Sequence, residues 1–64
     1  MPDFNIYEEK ILRTLVAARR PLTTKQVSKF SGISYNTVRS DLEGLFRRGI
    51  IRKMPMSNRI YWSV

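Results

Sequence analysis

Residues 32–51, GISYNTVRSDLEGLFRRGII, carry apolar positions at helical spacing between two glycines. Val38, Leu42 and Leu45 recur at i, i+4 and i+7, lining one stripe of a helix toward a core, while Asn36, Ser40, Glu43 and Arg47 share the opposite face. Gly32 stands where the chain reverses between two helices, a place that favours a residue tolerant of positive φ, and Ser34 caps the helix that follows. This helix is predicted over about residues 35–48, and Gly49 ends it. Gly44 in its middle costs about 1 kcal/mol against alanine, which suggests close approach of another backbone or of a partner.

Upstream, Asn5 with Glu8 reads as a capping box for a first helix to about Ala18, with Tyr7, Ile11, Leu15 and Ala18 on one face and Leu12 at its edge. Ile6 and Val16 point away from that stripe, with Glu9 and Arg13 as an i,i+4 pair between them. That outer face is the candidate surface for a homodimer through helix one; ordinary exposed surface is the alternative. Arg19-Arg20-Pro21 breaks the helix, Leu22 forms a minimal edge strand, and Thr23 with Gln26 caps a second helix over about residues 24–31. Val27 and Phe30 are its expected core contacts, with Lys25 and Lys29 one turn apart on the other side. Strands at 50–54 and 59–64 flank a turn of Pro55-Met56-Ser57-Asn58, and Ile60, Trp62 and Val64 alternate with Arg59, Tyr61 and Ser63 as in a half-buried hairpin strand.

The pattern G-I-S-x-x-T-V-x-x-x-L-x-x-L-x-x-x-G-I-I resembles the winged helix-turn-helix domain of small bacterial and archaeal transcription regulators. Ile11-Leu12-x-x-Leu15 followed by Pro21-Leu22-Thr23 extends the resemblance to about residues 6–64. Two positions depart from the family: Ser28 replaces a usual alanine between the motif helices, and Phe30 stands where a small residue is common. The resemblance implies an α+β fold of three helices and a C-terminal two-stranded wing. Residues 1–64 then form one domain, with the helix-turn-helix at about 24–48 and the wing at about 50–64. In size the chain is similar to regulators of archaeal viruses and plasmids.

Sixty-four residues suit one small core, with no room for a second domain or an effector pocket. With no cysteine and no histidine, disulfide frameworks, thiolate zinc sites, thiol nucleophiles and imidazole acid-base chemistry all drop out. Five scattered acids offer no convincing metal cluster, so a nuclease is a remote rival and neither catalysis nor a cofactor is expected. No apolar run approaches the roughly 20 residues of a membrane span, and Asp3, Glu8 and Glu9 oppose a signal peptide, so a cytoplasmic protein without membrane contact is expected. Charge sharpens the picture: residues 21–64 carry eight basic and two acidic side chains, +6 of the net +7. Such asymmetry suits a polyanion, though a solvated basic face is the bland alternative.

The resemblance implies roles at particular positions, with double-stranded DNA as the partner. Tyr35, Asn36, Arg39 and Ser40 open the third helix and are candidates for base readout in a major groove. Asn36 suits adenine and Arg39 guanine, against backbone capping for the first and phosphate contact for the second. Ser34 is first a cap, and Thr37 is divided between the DNA backbone and its own helix. Lys25, Lys29, Arg52, Lys53 and Arg59 are candidate phosphate clamps. Met56, Ser57 and Asn58 form the wing tip, with Asn58 and Arg59 suited to a minor groove. Glu43 is expected to bond Arg47. Trp62 and the tyrosines suit packing better than a base-stacking platform. A repressor acting by promoter occupancy is the favoured expectation, and a protein-docking winged helix is the rival.

Overall fold

A computed structural model describes residues 3–64. Its elements run α1 (Ile6–Ala18), β1 (Leu22–Thr23), α2 (Thr24–Ser31), α3 (Tyr35–Arg47), β2 (Arg52–Met56) and β3 (Arg59–Ser63). The antiparallel sheet has the order β1-β3-β2, with Leu22 opposite Trp62 and Lys53 on that residue's other side. This is the three-helix, winged α+β architecture.

Local chemistry sets the helix ends. Asn5 accepts from the Glu8 amide at 2.7 Å while Glu8 accepts from the Asn5 amide, and Thr23 with Gln26 repeats the arrangement on α2. At the end of α3, the Gly49 amide donates to Phe46 and the Ile50 amide to Leu45, a Schellman closure that requires the φ of +74° at Gly49. Ser34 stands at the N-cap position but makes no capping hydrogen bond. Its hydroxyl donates instead to the Thr37 hydroxyl at 3.0 Å, so the expected side-chain cap is absent.

Ile11, Leu15, Leu22, Val27, Ile33, Val38, Leu42, Leu45, Ile51 and Trp62 form the core. Phe30 is not in it; the ring is 54% exposed, and Ser31 at the next position is buried. The reason lies in the turn. Ser28 donates to the Ile33 carbonyl at 2.6 Å and Ser31 accepts from the Ile33 amide at 3.3 Å, which rolls Ser31 inward and turns Phe30 toward solvent. Thus serine at the usual alanine position becomes a clasp across the turn, where Gly32 has φ +76°.

Tyr7 also departs from expectation, at 51% exposed, and lines a surface groove with Ile33, Ser34 and Thr37. Ile6 and Val16 are exposed, as the periodicity predicts. On the sheet only Trp62 of the expected apolar trio is buried; Ile60 lies toward the hairpin tip and Val64 beyond the strand's end. Gly44 needs no account from close packing, since nothing lies within 4 Å of where its Cβ would be.

The wing differs in register from the sequence expectation. The first strand starts at Arg52 and continues through Pro55 and Met56, leaving a two-residue turn of Ser57 and Asn58 with φ 50° and 64°. Two successive positive φ values give a type I′ turn, whose twist suits a tight hairpin. Met56 and Arg59 close it, so alternation directs the proline's missing N–H away from β3.

The ion pairs also differ from those the helical spacing suggests. Among the described residues, Glu8 pairs with Arg48 at 3.3 Å and Glu43 with Lys53 at 2.7 Å, in place of Glu9 with Arg13 and Glu43 with Arg47. The Arg48 guanidinium lies 5.1 Å from the Phe4 ring centre, so the end of α3 is tied to the start of the chain. Asp41 shares that flank of α3. One of its carboxylate oxygens is buried without a hydrogen-bond partner, and burial, with a smaller contribution from Glu8, raises its pKa above the ordinary 3.8.

A folded-state pKa above the unfolded value means that the native state holds this proton more tightly, so the resulting stability is full below about pH 3.8 and lost as pH rises through the folded value. Ionised Asp41 therefore opposes folding at neutral pH. Asp41→Asn is expected to raise the melting temperature at pH 7, with the gain over the parent shrinking as pH falls toward 3.8. Thermal unfolding followed by circular dichroism across that range checks the sign; a gain that persists unchanged at low pH contradicts it.

Candidate nucleic-acid interface

The exposed face of α3 follows from its helical wheel. Val38, Leu42 and Leu45 are fully buried, which turns Asn36, Ser40 and Arg47 outward on the opposite side. Arg39 follows Val38 by about 100° around the helix, on the flank shared with Tyr35 and Phe46 that meets the wing. Tyr35, Asn36, Arg39 and Ser40 are all exposed, whereas Thr37 is half-buried and bonded to Ser34. That bond favours the local role for Thr37 that its sequence position allowed.

The fold joins three separate candidates in one crevice. Thr23, Thr24, Lys25, Tyr35, Arg59 and Ile60 line a space of about 360 Å³ between the starts of α2 and α3 and the strand β3. Both cations are exposed, and the tyrosine hydroxyl and two threonine hydroxyls supply neutral polar groups beside them. Sequence reasoning had no route to Thr24 or Ile60 as lining residues. Thr24 is held in place by the Trp62 indole, whose N–H donates to its hydroxyl at 2.9 Å, a contact spanning 38 positions. Lys29 is exposed one turn beyond Lys25 along α2, and Arg52 is exposed at the base of β2.

Lys53 is placed differently from the other candidate clamps. Its ammonium donates to Glu43 at 2.7 Å and lies 5.5 and 5.4 Å from the ring centres of Phe46 and Trp62. Those rings meet edge to face at 70°. This lysine braces the wing against α3, and phosphate would compete with a carboxylate already in contact. At the hairpin tip, Met56, Ser57 and Asn58 are exposed. Trp62 is 2% exposed and offers no stacking surface.

Among the described residues no helix is long and apolar enough to cross a membrane, and no group of three or more acidic, cysteine or histidine side chains is gathered for a metal ion. A family model described as sugar-specific transcriptional regulator TrmB matches residues 2–64. No curated protein and no solved structure matches the chain. A match of that extent, on a three-helix fold with a C-terminal wing, shows that the chain belongs to the TrmB family of transcriptional regulators and forms a regulator's DNA-binding domain.

Proposed function

We propose that this domain recognises a specific double-stranded DNA sequence and represses transcription by occupying it. In this reading α3 enters the major groove, with Asn36, Arg39, Ser40 and Tyr35 toward base edges, while the wing tip of Met56, Ser57 and Asn58 follows the backbone or the adjacent minor groove. The crevice that gathers Lys25, Tyr35 and Arg59 beside the open face of α3 carries the proposal. A phosphate there would meet two cations and several hydroxyl donors, while an unobstructed helix face lies next to it. Lys29 and Arg52 add further backbone contacts, while Ser34 and Thr37, bonded to each other on the α1 side of α3, are secondary candidates. The family is described as sugar-specific; the part of such regulation assigned to this domain is DNA occupancy, which needs no bound effector.

Electrostatics supplies the first test. Lys25, Lys29, Arg52 and Arg59 replace counterions on about four phosphates per domain, giving a slope of log affinity against log salt near −4. Lys53 is left out because Glu43 already engages it. Titration of a fluorescent duplex at several salt concentrations measures the slope. A slope near zero, or no binding at low salt, favours a protein-docking winged helix.

Base reading and phosphate clamping separate under mutation. Asn36→Ala is expected to cost about 1–3 kcal/mol on a preferred site selected from random duplexes and to leave random DNA nearly unaffected. Lys25→Ala should weaken every duplex alike and flatten the salt slope by about one unit. Equal proportional losses on both kinds of DNA by both variants remove Asn36 from base readout.

The exposed Ile6 and Val16 on α1 are the proposed surface for a symmetric dimer on a palindromic site, with half-sites about one helical turn or a multiple apart. Sedimentation should show a dimeric parent and a monomeric Ile6→Asp, Val16→Asp double variant. Identical masses exclude α1 as the interface.

A further inference from the structure

The concave surface between α1 and α2 takes no part in the DNA contacts proposed above; with the proposed dimer face it shares only the α1 flank, where Arg13 lies between Ile6 and Val16. Its groove measures about 530 Å³ and is lined by Ala17, Ala18 and Phe30 together with Lys10, Arg13 and Arg20. No carboxylate lines it, and none of the three cations has an ion-pair partner among the described residues. An exposed aromatic beside three unpaired cations is matched by a ligand that is both apolar and acidic.

Direction separates this groove from the face of α3. Ser28 and Phe30 lie two positions apart on α2, about 200° around the helix. Ser28 faces Ile33 and the turn into α3, whereas Phe30 faces α1. The groove thus opens on the flank of α2 turned away from α3. Phosphate backbone would supply charge for Lys10, Arg13 and Arg20 but no apolar group for Phe30. A second copy, which the dimer proposal seats on the apolar Ile6 and Val16, carries +7 and is a poor source of counter-charge for these cations.

We propose that this groove docks an acidic amphipathic helix of a protein partner. Its apolar anchor covers Phe30 and rests on Ala17 and Ala18, and its carboxylates turn toward Lys10, Arg13 and Arg20. This is helix-in-groove recognition, with ring contact supplying the anchor and the cations steering encounter and setting orientation. It gives a DNA-bound domain a free surface through which another component of the transcription apparatus is held.

The whole chain is titrated with a synthetic amphipathic peptide of about fifteen residues, roughly four helical turns, with glutamates on one face and phenylalanine and leucine on the other. Amide chemical shifts locate the peptide, and fluorescence anisotropy gives its affinity. Shifts should concentrate on α1 and on the end of α2. Phe30→Ser should weaken binding by about tenfold or more, and a peptide with its apolar anchors replaced by serine should lose binding to a similar degree. Ala17→Glu, which adds a carboxylate to the groove, provides a second variant should Phe30→Ser perturb folding. Duplex affinity of both variants should stay within about twofold of the parent, beside the several-fold change per phosphate contact expected of true DNA ligands. Absence of saturable peptide binding, shifts centred on α3 or the wing, or unchanged affinity in both variants overturns the proposal. So does a parallel loss of duplex binding, which assigns the groove to DNA, or loss of self-association in Phe30→Ser, which assigns it to a second copy.

Discussion

The Trp62 indole holds the wing and the helix-turn-helix unit in one fixed relation. Its ring is buried from β3, its N–H donates to Thr24 at the start of α2, its edge meets Phe46 on α3, and Lys53 of β2 lies over it. A core of ten buried side chains leaves little redundancy, so one large aromatic that touches α2, α3 and β2 helps set their relative angles. The crevice of Lys25, Tyr35 and Arg59 inherits its shape from this contact, because the three residues sit on the three elements that the indole joins. The shape of the crevice and the packing of the core therefore meet in one side chain.

Much of this fold was legible in the sequence because its signals are local. Asn5 with Glu8 and Thr23 with Gln26 are bonded three residues apart, and Gly49 closes α3 within its own last turn. The stripe Val38, Leu42 and Leu45 needs only helical spacing to identify it. Phe30 misled because spacing fixes which positions share a face, not how far a short helix rolls. The roll of α2 is decided by Ser28 and Ser31 clasping Ile33 beyond the helix end. Tyr7 and Ile60 misled for a different reason: each shares a face with core residues yet remains exposed at the margin of a small core.

Candidate site residues divide along the same line. The exposed start of α3 and the lysines of α2 follow from helix phase and charge alone. That Lys25, Tyr35 and Arg59 line one crevice depends on the chain returning after more than thirty positions, which no periodicity encodes. Lys53 is the clearest contrast. As a basic residue on a wing strand it reads as a phosphate ligand, yet Glu43 ten positions away and two aromatic faces claim its ammonium. Net charge reports how much positive potential the chain carries, and tertiary packing decides which cations remain available to a partner.

Pro55 has a consequence for how neighbouring molecules behave. An uncovered outer strand is a template on which another chain can add, the route by which sheets propagate between molecules. β2 is such a strand, and alternation from the tight turn leaves Lys53 and Pro55 with their backbone nitrogens directed outward. Proline supplies no donor there, and the opposite rim of the sheet is only the two residues of β1. Copies crowded side by side meet an interrupted rim on one side and a stub on the other. Their hairpins cannot zip into a shared sheet, and each wing remains a separate finger.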